Sequence, residues 1–124
     1  MEIIIKTIPH NEHRYETVGD YWKDNEEKMQ IRVSELGNSD MEFLVSLHEL
    51  IEAYLIYKRG ISEQSITDFD IKFNESGKEG EPGDDKEAPY RKEHFFATSI
   101  ERLMCAELNI NWEDYDKAVM EVCK

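Results

Sequence analysis

The sequence predicts an α+β domain in which an N-terminal β-hairpin or small antiparallel sheet packs against three to four helices. Two observations lead to this fold class. Residues 2–36 contain short β-branched or alternating segments, whereas residues 39–122 contain longer segments with apolar side chains three and four positions apart. A chain of 124 residues is long enough for one well-packed core, so we expect a single domain over residues 1–124.

Three segments near the N-terminus are typical of strands. The stretch EIIIKTI, residues 2–8, is rich in β-branched side chains and ends at Pro9. In MQIRVSEL, residues 29–36, Met29, Ile31 and Val33 alternate with polar residues. This period of two predicts a hairpin with TVGDYW, residues 17–22, and one solvent-facing side.

Two helical segments follow. Ser39 or Asp40 can cap the first, whose apolar side chains recur at helical spacing until the sequence KRG ends it at Gly60. Ser62 begins a shorter amphipathic segment.

The segment 75–89 is rich in glycine, proline and charge and predicts an exposed, flexible loop that buries little. Beyond it, a helix is expected from Tyr90 to about Leu108. Asn111 is placed to cap a final helix.

The composition limits the classes of partner. A formal net charge of −13 makes binding to nucleic acid or to an anionic membrane unfavourable and favours a basic partner. No apolar run approaches the ~20 residues of a membrane span, and the first residues lack the features of a signal peptide. We therefore expect a cytoplasmic protein with Cys105 and Cys123 reduced.

The stretch LHELIEAYL carries the first candidate for chemistry. His48 and Glu52 lie four residues apart, so both side chains can reach one ion from the same helical face. Glu49 projects about 100° away around the axis and is the candidate general base.

A second pair lies in the helix that begins near Tyr90. His94 and Glu101 are seven residues apart on one stripe, and the small Ala97 between them would let another helix approach closely. Ionisable groups on a stripe that otherwise resembles a core face need partners, because an unpaired buried charge is costly.

Together, these residues predict a metal site shared by two facing helices. His48, Glu52 and His94 are the expected ligands, with Glu101 as a fourth ligand or as the partner of a histidine. Zinc fits this donor set, and Mn and Fe are alternatives. Two aspartates, Asp68 and Asp70, are further candidates for a ligand or a histidine partner.

Structural interpretations of the same residues remain open. His48 with Glu52 is also an ordinary surface pair one turn apart, and His94 with Glu101 is also a hydrogen-bonded structural pair. His10 and His13 lie in a polar turn and are expected to be solvated.

Several longer segments resemble a group of small uncharacterised proteins found in phages and bacterial genomes. They include YETVGDYW, IRVSELGN, LHELIEAYL, PGDD, APYRKEH and ATSIERLMCAEL, and they extend from about Tyr15 to Tyr115. The resemblance implies a coherent single-domain family and no particular activity.

The segment from the IRVS strand to the HELIE helix is also similar to zincin-like metallopeptidases. On that likeness His48 corresponds to the first metal histidine and Glu49 to the general base. Glu52 stands where those enzymes have their second histidine, which argues against peptidase activity. Phosphohydrolases with an adjacent His-Asp and helical pyrophosphohydrolases with paired carboxylates match less well.

Two functions follow from these patterns. The first is a small metal-binding protein, acting as a metal-dependent hydrolase on a small-molecule or peptide substrate. The alternative is a non-enzymatic acidic accessory protein of the phage type that binds a basic protein partner.

Overall fold

The computed structural model describes residues 1–123. It contains three strands, four helices and two short 3-10 turns: β1 (Ile3–Ile8), β2 (Gly19–Lys23), β3 (Met29–Ser34), α1 (Ser39–Lys58), α2 (Glu63–Glu75), α3 (Arg91–Glu107), α4 (Trp112–Val122), and turns at His10–Glu12 and Pro82–Asp84. The predicted α+β class is confirmed.

The three strands form a mixed sheet in the order β1-β3-β2. β2 and β3 are the predicted antiparallel hairpin, with Tyr21 opposite Ile31. β1 instead runs parallel to β3, with Ile5 opposite Ile31, so the sheet as a whole is not antiparallel. The difference arises because the segment 9–18 carries the chain from one edge of the sheet to the other, and β3 then enters between the first two strands.

The face of the sheet that the alternation assigned to solvent is largely covered. Ser34 is fully buried, and its Oγ lies 2.7 Å from His10 Nδ1 and 2.9 Å from His13 Nε2. The guanidinium of Arg14 lies over the Trp22 ring at 4.5 Å. Residues of the β1–β2 connection therefore provide the cover.

Side-chain caps fix where the helices begin. Asn38, one residue before the predicted Ser39, caps α1 because its extended backbone lets Oδ1 accept a hydrogen bond from the amide of Met41. The predicted cap Asn111 is confirmed at α4, and Ser62, where the second helical segment was expected to begin, caps α2. Over residues 1–123, none of the helices has the length and apolar character of a membrane span.

The helices α1 and α3 form the main helical contact of the domain. Ala97, which lies between His94 and Glu101 in sequence, is fully buried, so it belongs to the core as the stripe predicts. His48 meets Glu101 while Glu52 meets His94, so the two helices run antiparallel.

The segment after α2 is partly built into the fold. Its first part, residues 76–80, is exposed, but Gly83 is buried in the second 3-10 turn. A Cβ on Gly83 would lie 2.4 Å from the His94 ring, so the backbone passes directly over that side chain. The prediction that residues 75–89 bury little is therefore wrong at Gly83, and also at Ala88, which is 8% exposed. The flexibility of the rest stays a prediction.

Candidate metal centre between α1 and α3

Three donor atoms converge in the interface between α1 and α3. Glu52 Oε2 lies 2.9 Å from His48 Nε2 and 3.0 Å from His94 Nδ1, and the two ring nitrogens are 3.2 Å apart. With metal–ligand bonds of about 2.1 Å, donor atoms are about 3.0 Å apart at right angles and about 3.4 Å apart at the tetrahedral angle. The three separations therefore match the edges of a coordination shell.

The local structure explains this convergence. His48 and Glu52 lie one turn apart on α1, which places their side chains on the same face. His94 enters from the antiparallel α3, at the level of Glu52. All three side chains are at least nine-tenths buried, which makes the cluster part of the core.

The nitrogen of His48 that points away from the cluster has its own partner. His48 Nδ1 lies 2.7 Å from Glu101 Oε1, and the hydroxyl of Tyr115 donates to the other oxygen of Glu101 at 2.5 Å. A metal-bound histidine usually has such a carboxylate on its second nitrogen, which fixes the ring orientation. Glu101 therefore takes the second of its two predicted roles, as the partner of a histidine.

The other two side chains of the cluster are oriented in the same way. His94 Nε2 lies 3.0 Å from Asp84 Oδ1 and 3.2 Å from Glu81 Oε2. On Glu52, the oxygen that points away from the histidines accepts a hydrogen bond from the Tyr21 hydroxyl at 2.8 Å. Each of the three side chains thus has its own partner: Glu101 of α3 for His48, Tyr21 of β2 for Glu52, and Asp84 of the turn before α3 for His94.

The hydrogen bonds place a condition on the charge of the cluster. A neutral imidazole carries one N–H, so it can donate to one carboxylate only. His48 and His94 each face a carboxylate with both ring nitrogens. With the carboxyl groups ionised, these contacts require either that both rings are imidazolium cations or that a metal ion takes the place of one N–H on each ring.

In the metal-free cluster, the pKa values are shifted in the directions that keep Glu52 ionised and both histidine rings protonated. Burial alone would raise the pKa of Glu52, but the hydrogen bonds from His48 and His94 outweigh it and lower this pKa to about 2. Burial alone would lower the pKa of His94, but Asp84 and Glu52 raise it to about 12. The pKa of His48 is likewise raised well above its usual value, against burial, by Glu101 and Glu52.

Glu49 lies beside the cluster and not within it. Its carboxyl group packs over Gly19, where a Cβ would approach it to 2.6 Å. Burial, followed by the nearby charge of Glu52, raises the pKa of Glu49 well above its usual range. A carboxyl group with a raised pKa is suited to general base catalysis near neutral pH.

The two aspartates do not contact the histidines. Asp70 is buried and accepts hydrogen bonds from the hydroxyls of Tyr15, at 3.0 Å, and Tyr90, at 2.5 Å. Asp68 is exposed and accepts a hydrogen bond from Gln64. Neither is a ligand or a histidine partner in this arrangement.

A cavity of about 610 Å³ opens beside the three donor atoms. Its wall includes His48, Glu49, Glu52 and His94, so the cluster and the candidate base face the same space. The wall carries nine acidic side chains and, as its one lysine or arginine among the described residues, Lys78. Its volume falls in the range of small-molecule sites, and its charge disfavours anionic ligands.

The structure brings together the four residues that the sequence singled out as ligands, His48, Glu52, His94 and Glu101. The supporting residues other than Glu101 were not predicted. Tyr21 lies on the inward face of β2, and its position facing the helices follows from its pairing with Ile31. Asp84 lies in a segment whose composition predicts a solvent-exposed loop. Its place near His94 is evident only from the structure, where the neighbouring Gly83 packs against the His94 ring.

Comparisons with models of protein families, with curated proteins and with solved structures find no match for this chain.

The charges of the cluster predict how the stability of the metal-free protein depends on pH. The pKa of His94 is raised, so its contribution is complete below the unfolded value of 6.5 and is lost as the pH rises toward about 12. The contribution of Glu52 is lost only as the pH falls from 4.5 toward about 2. In chelator, the free energy of unfolding should therefore fall between pH 6.5 and 8.5, by at most about 1.4 kcal/mol per pH unit for each histidine.

Urea unfolding in EDTA at three pH values measures this slope. Saturating zinc should abolish the decline, because bound metal requires both rings to be deprotonated already. An EDTA slope that is the same in wild type and in His94→Ala would contradict this assignment of charges.

Proposed function

We propose that this protein is a metal-dependent hydrolase that acts on a small uncharged or cationic substrate. The ion is held by His48 Nε2, Glu52 Oε2 and His94 Nδ1, with zinc as the preferred metal. The single observation that carries the proposal is the convergence of these three buried donor atoms at separations of 2.9 to 3.2 Å on the wall of a cavity.

The donor set supports hydrolysis in particular. Two histidines and one glutamate are the protein ligands of several catalytic zinc sites, and they leave coordination positions open for water and substrate. A divalent ion in such a site polarises a carbonyl or phosphoryl oxygen and lowers the pKa of a bound water. Structural zinc sites differ in having all four positions filled by protein side chains.

Glu49 is assigned as the general base. It lines the same cavity as the three donors, and burial together with the nearby charge of Glu52 raises its pKa, which makes its carboxylate a stronger base. The acidic wall repels phosphate esters and other anions, so the substrate is expected to be neutral or positively charged.

Metal analysis of protein purified without chelator tests the site. Wild type should hold one equivalent of Zn, Mn, Fe or Ni in the cluster, whereas His48→Ala and His94→Ala should lose it, because each removes one of three donors. The zinc-dependent rise in melting temperature should be smaller in both variants than in wild type. If wild type holds no stoichiometric metal and added zinc does not change its stability, the site is excluded.

Hydrolysis is tested separately with p-nitrophenyl acetate, a neutral ester, and bis(p-nitrophenyl) phosphate, an anion. We expect metal-dependent turnover of the neutral ester only. Glu49→Gln should retain the metal and lose most of this turnover, by 10²-fold or more for a general base. Retention of full turnover in Glu49→Gln would remove Glu49 from the proposal while leaving the metal site in place.

The net charge supports a second candidate function. At −13, the surface of the protein favours a basic partner, as an acidic accessory protein would need. That function predicts capture of a basic host protein at low salt, release at high salt, and no effect of His48→Ala. Loss of the partner in His48→Ala, or failure to capture one at low salt, would count against it.

A further inference from the structure

A second group of metal-ligating side chains lies where the β1–β2 connection meets the end of α4. His10 Nε2 is 3.0 Å from Glu16 Oε1, and one ring nitrogen of His10, one carboxylate oxygen of Glu16 and Cys123 Sγ all lie within 4.8 Å of one another. None of the three residues belongs to the cluster between α1 and α3. The group joins the β1–β2 connection to the end of α4, more than 100 residues away.

The histidine of this group is held in a fixed orientation. His10 Nδ1 lies 2.7 Å from the Oγ of Ser34, and Ser34 is fully buried in the central strand β3. The ring is 22% exposed, so His10 is only partly solvated. With Nδ1 bound to the sheet, Nε2 is the nitrogen left to face Glu16 and Cys123, as second-nitrogen contacts do in metal sites.

The three donors form a chemically selective set. Imidazole, carboxylate and thiolate all bind zinc, and a thiolate disfavours magnesium and calcium. A tetrahedral zinc ion separates a ring nitrogen from a sulfur by about 3.5 Å, given bonds of about 2.0 and 2.3 Å. Cys123 is the C-cap residue of α4, directly after Val122, and its sulfur lies within 4.8 Å of a donor atom from each of the other two residues.

We propose that His10, Glu16 and Cys123 form a second zinc-type metal site that ties the N-terminal connection to the end of α4. Glu16 and Cys123 also line the 610 Å³ cavity, so this site lies at its edge, away from the proposed catalytic ion. The role of the second ion is to hold the cavity wall together. The inference stands independently of the hydrolase proposal, since the two sites share no residue.

Cobalt(II) provides the probe, because a cobalt–thiolate bond gives a near-ultraviolet charge-transfer band that histidine and carboxylate ligands do not. The protein is kept reduced and titrated with cobalt. Wild type should bind with this band, and Cys123→Ser should lose the band together with one equivalent of metal. His10→Ala should weaken binding at this site by 10-fold or more. Cys105→Ala, the matched control for the other thiol, should retain the band.

The variant His48→Ala distinguishes the two proposed sites experimentally. This variant should retain the thiolate band with unchanged intensity, even if the cluster between α1 and α3 no longer binds metal. Absence of a thiolate band in cobalt-saturated wild type overturns the second site, and so does a band that survives in Cys123→Ser. Circular dichroism of each variant verifies that it is folded, so loss of the band reports on ligation.

Discussion

Replacing Glu52 by glutamine is expected to abolish high-affinity metal binding and to lower the free energy of unfolding of the metal-free protein by about 3–5 kcal/mol. The amide has nearly the same size as the carboxylate, but it carries no charge. The facing ring nitrogens of His48 and His94 are 3.2 Å apart. Without the carboxylate charge between them, the two buried imidazolium rings repel each other. Urea unfolding in EDTA at pH 6 measures the loss of stability, and calorimetry measures metal affinity.

Glu107→Gln is the matched control, since Glu107 is an exposed residue of α3. Its effect should stay within about 0.5 kcal/mol, as for most surface substitutions. A loss of less than about 1 kcal/mol in Glu52→Gln would show that the metal-free cluster does not hold two imidazolium ions.

Replacing Gly83 by alanine is expected to disrupt the same site, although Gly83 is not a ligand, by displacing the His94 ring. The added Cβ would lie 2.4 Å from Cγ and Nδ1 of His94, and Nδ1 is the proposed donor atom. Relief of this overlap requires the turn or the ring to move. We expect a loss of about 1–3 kcal/mol in stability and at least a 10-fold loss in metal affinity. Denaturant unfolding and calorimetry measure the two effects.

A double-mutant comparison tests whether the contact with the His94 ring causes the loss of stability in Gly83→Ala. In a His94→Ala background the ring is absent, so the stability cost of Gly83→Ala should largely disappear. Lys86→Ala, an exposed change in the same segment, should alter neither stability nor metal affinity. If Gly83→Ala lowers the stability equally in both backgrounds, the added methyl group does not act through the His94 ring.

The helical half of the site was predictable from the sequence because its signals are local. Spacing of four and seven residues places His48 with Glu52 and His94 with Glu101, and the burial of Ala97 allows the two pairs to meet. The hypothesis that these pairs are partners across the core, and not on the surface, agrees with their burial.

The supporting residues and the sheet order depend on contacts between distant segments. The pairing of β1 with β3 is parallel, and no local pattern distinguishes it from an antiparallel pairing. Asp84 lies in a run of glycine, proline and charged residues that resembles a solvated loop, and its role arises only from the position of His94. His10 was assigned to solvent because its buried partner, Ser34, is 24 residues further along the chain.

The order of the strands also determines when the site can form during folding. β3 is the last strand in the sequence, yet it lies between β1 and β2 and is the hydrogen-bonding partner of both. The first two strands therefore have no sheet partner until residues 29–34 have been synthesised. α1 follows β3 after a short connection, so Tyr21 becomes fixed against Glu52 in the same stage of folding that completes the sheet. Assembly of the sheet and of the first ligand pair is expected to be a single event once α1 has been synthesised, and His94 joins it when α3 emerges.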